Sequence, residues 1–355
     1  MKAFIKSTAV ISPQKTFGIR GFPAEVVDYA DAAYLKCIEP AYRDFLDPMA
    51  SRRMSRIVKM GVCGALDCLH HADIAMPDAI IAGTGLGCLE DTEKFLGSVY
   101  TNGERLMNPT PFIQSTHNTV AGAIAMAMKC HGYNATYSHR GFSFESAILD
   151  ALMHITEKPE MNILAGGFDE LTPNSYEITK RMGLWKQHPV NNLSLFRDKD
   201  RGTLPGEGLA FFILNGMHGH NDLAQLTSLR TFHKPEDSKQ VQEELMDFIG
   251  GCGIALQDVD LVILGMNGDG FSDRFYHTLM QGLFSGIPAA YFKHLCGEYD
   301  TSSSFAMWLA TLIIRSQQVP QCIMAGNKTP DKLNHVLIYN HLRGVDHTMF
   351  LLSTC

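Results

Sequence analysis

Several polar stretches of this chain carry side chains that could do chemistry. His139-Arg140-Gly141-Phe142-Ser143 sets a histidine and a hydroxyl just ahead of a helical pattern. A serine nucleophile on a strand-to-helix elbow needs Gly-x-Ser-x-Gly, and residues 141–145 read Gly-Phe-Ser-Phe-Glu, so the fifth position fails. His139 suits orienting a bound group or a structural hydrogen bond equally. Gly83-Thr84-Gly85-Leu86-Gly87 follows an apolar run, but Cys88 stands where a dinucleotide loop needs its third glycine. A tight strand-to-helix turn is the better reading. Gly265–Gly270 (GMNGDG) and Phe292–Ser304 (FKHLCGEYDTSSS) are polar loops at strand ends, where α/β sheets often build sites. Phe196–Leu214, FRDKDRGTLPGEGLAFFIL, runs from alternating charge through a glycine hairpin into a buried strand.

The elements that must position these loops alternate. AFIKSTAVI at the N-terminus is strand-like, and residues 51–70 carry apolar side chains at helical spacing. DAIIAGTGLG is a buried strand into a turn, NTVAGAIAMAMKCHG a small-residue helix closed by Gly132, and ATYSH a short strand. FSFESAILDALMHITEK is a helix, followed by the strands MNILAGGFDEL and GEGLAFFILN. After Asn215 the pattern restarts: strand LAQLTSLRTFH, helix SKQVQEELMDFIGGCGI, strand DVDLVILG, helix SSSFAMWLATLIIRSQ, and closing strands NHVLIYNHLRG and HTMFLLST. Alternating strands and helices predict an α/β fold with covered sheets. The restart predicts two related halves, residues 1–218 and 219–355.

Composition narrows the function classes. The 355 residues are 45% hydrophobic and 19% charged, as in ordinary globular proteins. A net charge of −7 without a Lys/Arg block argues against nucleic acid or an anionic membrane as main partner. The nine cysteines are scattered and form no CxxC pair, which predicts reduced thiols in a cytoplasmic protein and neither a disulfide frame nor a zinc site. The N-terminal apolar run is short and lacks a small-residue cleavage pattern, so no signal peptide is expected. No segment reaches the roughly 18 apolar residues of a bilayer span.

Read in order, these stretches resemble the β-ketoacyl synthases of the thiolase-like superfamily. SRRMSRIVKMGVCGALDCL is similar to that family's early Arg-Met-x-Arg helix, AGTGLG to the following turn, and NPTPFIQSTHNTVAGAIA to an Asn-x-x-Ala-Gly helix facing the dimer partner. AGGFDELTP resembles an Ala-Gly-Gly-x-Asp/Glu turn, and FRDKDRGTLPGEG follows the family's charged loop and Gly-Glu-Gly closely. The resemblance implies a five-layer α-β-α-β-α fold built from two pseudo-repeated halves, with no cofactor and no metal.

It also implies a site, and there the chain departs from the pattern. The family uses a cysteine thiolate at a helix start to take up the acyl chain, and two histidines that stabilise a developing enolate. In this chain the cysteine slot holds Gly141, the first histidine slot Asn267 and the second Glu298, while a supporting lysine persists as Lys293. The family's closing Gly-Phe-Gly-Gly gate is replaced by HLRGVDH. Glycine offers no nucleophile, and an ionised Glu298 would oppose enolate formation. The family's chain-length factors are natural partners of this kind, pairing with an active synthase in fatty-acid, polyketide or polyene-pigment assembly on an acyl carrier protein. The expectation is a chain-length-factor-type subunit, as a homodimer or beside an intact synthase. The alternatives are an acyl-transferring enzyme with a relocated nucleophile, Cys296 or Ser143, and a homodimeric acyl-binding protein.

Overall fold

The run Gly-Leu-Ala-Phe-Phe-Ile-Leu-Asn at 208–215 is buried at every position, so both faces of its strand must be covered. The computed structural model, which describes residues 2–355, shows how. Ten strands form one hydrogen-bonded sheet: β1 (Ala3–Ile11), β2 (Ala79–Gly83), β3 (Tyr133–Tyr137), β4 (Ile163–Asp169), β5 (Gly208–Asn215), β6 (Ala224–His233), β7 (Leu261–Leu264), β8 (Ala289–Tyr291), β9 (His335–Leu342) and β10 (Asp346–Ser353). Their spatial order is β3-β2-β4-β5-β1-β6-β10-β9-β7-β8. Counted from either outer edge, the order and the parallel or antiparallel sense of each pairing are the same. The first five strands and the last five therefore repeat one topology.

Side-chain alternation separates the layers. Ile163 and Ala165 of β4, Phe212 and Leu214 of β5, Ile263 of β7 and Phe350 of β10 share one core with helices Ser143–Glu157 and Ser303–Ser316. The alternate residues Leu164, Phe211 and Ile213 face a second core with helix Arg56–Ala72 and helix Thr119–Met128. Val262, Leu337, Tyr339 and Leu351 face a third, with helix Ser238–Gly251 and helix Arg274–Gln281. The layers run α-β-α-β-α, as the sequence implies. One feature differs from two separate sheets: β1 and β6 pair over Ala3–Ile5, joining the halves into one folded-over sheet.

Two helix boundaries move from their sequence positions for local reasons. The first long helix begins at Arg56, because Pro48–Ser51 forms its own turn capped by Asp47. The small-residue helix ends at Lys129, which takes the left-handed conformation at φ 54°, and not at Gly132. Gly132 has its own constraint, since a Cβ there would lie 2.1 Å from the Asp78 carbonyl.

One buried ion pair ties the Arg-Met-x-Arg helix to the Gly-Glu-Gly hairpin. Both terminal guanidinium nitrogens of Arg56 donate to Glu207, whose side chain is fully buried. Glu207 also accepts from the backbone N–H groups of Cys37 (2.9 Å) and Leu171 (3.0 Å) and from Lys36 at 3.3 Å. Burial alone would raise this carboxyl; the Arg56 guanidinium outweighs it and holds the group below its usual range. Arg56→Met should cost about 3–5 kcal/mol in urea unfolding, because it strands a buried charge. Adding Glu207→Gln should recover much of that loss, and a single variant as stable as the parent would contradict the assignment.

Candidate functional site

The hairpin that holds Glu207 also positions the candidate site. A Cβ at Gly206 would lie 2.0 Å from the Cys296 carbonyl, and Gly297, at φ +77°, packs directly against Gly206. This close approach lets Gly206 N–H donate to the Glu298 carbonyl (3.0 Å) and Glu298 N–H donate to the Leu204 carbonyl (2.9 Å). Glu298 is thereby fixed with its side chain buried. From a second loop, the Asn267 and Gly268 N–H groups donate to the Asp273 carboxylate at 3.1 and 2.8 Å. Thr203 Oγ1 donates to the Asn267 carbonyl at 2.6 Å.

These loops bring Asn267, Lys293 and Glu298 into one cluster. Lys293 Nζ donates to both Glu298 oxygens at 2.6 and 2.9 Å, and Asn267 Nδ2 donates to Glu298 Oε2 at 2.7 Å. The lysine is fully buried and the glutamate nearly so. An oxyanion site needs donors aimed at the place where charge will develop. Here the Asn267 and Lys293 donors are aimed at the Glu298 carboxylate, and Lys293 pairs with it. Glu298 is thus no free negative charge but one half of a closed pair.

Gly141 is buried under the β9–β10 hairpin. A Cβ there would meet Leu342 Cβ, Asp346 Cβ and Asp346 Oδ2, each at 3.0 Å. A larger side chain would press on that hairpin. The residue that reaches the cavity from this turn is Arg140, at φ +52° and with its guanidinium 3.6 Å from Asp300. Arg343, at φ +57°, lines the same cavity from the hairpin. The cavity also touches Asp169, Glu170, Glu298 and Asp300, and measures about 80 Å³. That holds a few waters, whereas small-molecule pockets usually span roughly 300–1,000 Å³. A more open groove of about 470 Å³ shares Arg140, Asp300 and Arg343 with it.

Both relocated-nucleophile candidates are locked in place. Ser143 Oγ donates to the Arg140 carbonyl and accepts from His139 N–H, both at 2.8 Å, which closes the start of the inner helix. Cys296 is fully buried, its thiol donates to the Gly297 carbonyl at 3.3 Å, and burial pushes its pKa up. All nine cysteines are free, and Cys322 and Cys355 are exposed. A thiol-directed electrophile should therefore modify Cys322 and Cys355 in the native protein and leave Cys296 intact until denaturant is added; peptide mapping would show which thiols react.

The sequence reading passed over a group of buried acids. Glu145, on the inner helix, accepts from Ser303 at 2.6 Å. Asp169 accepts from Gly85 N–H (2.8 Å), Thr301 N–H (2.9 Å) and both threonine hydroxyls of Thr84 (3.1 Å) and Thr301 (2.8 Å). For Asp169 and Glu170 the signal in the sequence is the AGGFDE turn, which sets two acids directly after a buried apolar strand. Burial is the leading cause that pushes Glu145, Asp169, Glu170 and Asp273 each up to about 7, against about 4 in an unfolded chain. The folded state holds these protons more tightly, so their stabilising contribution is full below about pH 4 and is lost as pH rises through about 7. The urea midpoint should fall between about pH 5 and pH 8. Glu145→Gln, which stays neutral without a proton, should flatten that fall; an unchanged profile would refute the shift at Glu145.

Residues 30–198 match the family model described as "Beta-ketoacyl synthase, N-terminal domain". No curated protein matches the chain by sequence. The ishigamide ketosynthase/chain length factor structure matches with a TM-score of 0.78 at 16% identity, over 100% of this chain and 99% of that one. A beta-ketoacyl synthase from Burkholderia phymatum STM815 matches at 0.78 and 13% identity, over 100% and 99%. The ketosynthase ApeO in complex with its chain length factor ApeC from Xenorhabdus doucetiae matches at 0.77 and 14% identity, over 99% and 98%. The chain shares the fold of these ketosynthase structures, and its residues 30–198 match the ketosynthase N-terminal domain model.

Proposed function

We propose that this chain is a non-catalytic ketosynthase-like subunit of the chain-length-factor type. Its partners would be an intact β-ketoacyl synthase and an acyl carrier protein, in fatty-acid, polyketide or polyene chain assembly. The observation that carries this reading is the closed cluster of Asn267, Lys293 and Glu298 at the two histidine slots. Gly141, packed under Leu342 and Asp346, supports it at the cysteine slot. Two of the matched structures pair a ketosynthase with a chain length factor. The repeated strand order supports residues 1–218 and 219–355 as the two halves. The burial and hydrogen bonds of Cys296 and Ser143 weigh against relocated acyl-enzyme chemistry.

The surface supports a subunit interface. β3 is an edge strand, with one side of its backbone unpaired. On the two helices packed beside it Met126, Leu149 and Met153 are exposed, as are Phe112 and Ile113 ahead of helix Thr119–Met128, apolar exposure of the kind that marks association sites. A Cβ at Gly122, on the helix next to β3, meets nothing within 4 Å. Gly122→Arg is therefore compatible with the fold of one subunit and blocks close approach of another. The parent chain should co-purify with an intact ketosynthase encoded beside it and yield no ketoacyl product alone. In analytical ultracentrifugation Gly122→Arg should sediment as a folded 39.3 kDa monomer. Condensing activity of the isolated chain, or a fully dimeric Gly122→Arg variant, would overturn the proposal.

A further inference from the structure

A second polar cavity lies at the opposite ends of the helices that lead to the candidate site. Helix Arg56–Ala72 carries Arg56 at the Glu207 end and His71 at this end, about 22 Å away along its axis. Helix Ser303–Ser316 carries Ser303 near Glu145 and Arg315 here. The cavity measures about 350 Å³ and sits in the fork where the two half-sheets part. β1 pairs with β6 only as far as Ile5, and a register shift between Ile5 and Ser7 leaves Lys6 as the extra residue. Such bulges re-aim side chains. The result is a lysine in a central strand that faces this cavity.

The lining is unusual in sign. Lys6, Arg20, His71 and Arg315 contribute to it, with the hydroxyl residues Ser7 and Thr8, and no acidic residue does. Two carboxylates stand behind the wall. Asp222 accepts from Lys6 at 2.7 Å, and Asp67 lies 3.8 Å from His71 with its pKa raised by burial. Three permanent cations, Lys6, Arg20 and Arg315, thus line a wall that carries no acidic side chain. His71 and Arg315 lie in the last turns of their helices, where cations are favoured in any case. Arg20 has no such account: it forms no hydrogen bond or ion pair with any described residue. Lys6 gives two of its three N–H groups to Met217 O and Asp222, which leaves one for a ligand.

We propose that this fork is a binding site for a phosphate group, free or carried on a small organic molecule. Arg20 and Arg315 would supply paired guanidinium donors, the geometry suited to phosphate oxygens, with the third Lys6 N–H completing the set. The site is remote from the candidate functional site and does not depend on the reading given to that site. Isothermal calorimetry at matched ionic strength tests it, titrating inorganic phosphate and, separately, adenosine diphosphate into the parent, Arg20→Ala and Arg20→Ala/Arg315→Ala. Saturable binding of either ligand, weakened about tenfold or more in the variants, is the expected result. Tighter binding of adenosine diphosphate would assign an organic phosphate, and equal binding the free anion. Arg20 is an exposed loop residue, so its single variant decides the matter even if the double variant misfolds. No saturable binding at millimolar ligand, or undiminished binding by Arg20→Ala, would overturn the proposal.

Discussion

The packing of Gly206 against Gly297 is the contact on which the two halves and the candidate site both depend. It admits no side chain on either residue, since a Cβ at Gly206 or Gly297 would lie within 3 Å of the other's backbone. On one side of it, Glu207 buries a charge that only Arg56, Lys36 and two backbone N–H groups can satisfy. On the other, the backbone of Glu298 is clamped to Leu204 and Gly206, so its carboxylate must be satisfied where it stands. Lys293 and Asn267 do this. A short Pro-Gly-Glu-Gly segment thus sets two buried carboxylates a few residues apart in space and obliges the surrounding elements to supply cations to both.

The same geometry commits the polar groups of the cluster to one another. A buried ion pair costs desolvation of both groups, and its mutual attraction repays this only with good geometry and full hydrogen bonding. Glu298 has both, with the lysine on its two oxygens and the asparagine amide on one. Donors committed in this way cannot at the same time serve a transition state that develops charge elsewhere. The scaffold that would pre-organise a reaction here pre-organises its own closure. The β9–β10 hairpin covers Gly141 and offers Arg343, beside Arg140 from the neighbouring turn, to the remaining small cavity.

Much of the architecture was legible in the residues. Apolar or β-branched runs bounded by glycines and polar turns located every strand but β8. The remaining elements were not legible. β8 has three residues, and helices Leu89–Asn102 and Pro173–Arg181 are amphipathic with few buried positions, so local pattern alone does not separate them from loops. The junction of the two half-sheets was equally hidden, since it rests on three residue pairs between β1 and β6.

For the candidate site the division is sharper. Residue types alone fix what these positions cannot supply: a glycine at 141 offers no thiolate, and neither Asn267 nor Glu298 can act as an imidazole. The Gly-Glu-Gly hairpin and the Arg-Met-x-Arg helix were likewise visible as separate signals. Only the tertiary structure decided that Arg56 and Glu207 meet, that Lys293 neutralises Glu298, and that Arg140 rather than Gly141 reaches the cavity. The physical reason is that charge pairing, burial and pKa depend on distances between residues far apart in the chain. Sequence spacing constrains such distances within one helix or strand, but the meeting of two loops is settled by how the sheets and helices between them pack.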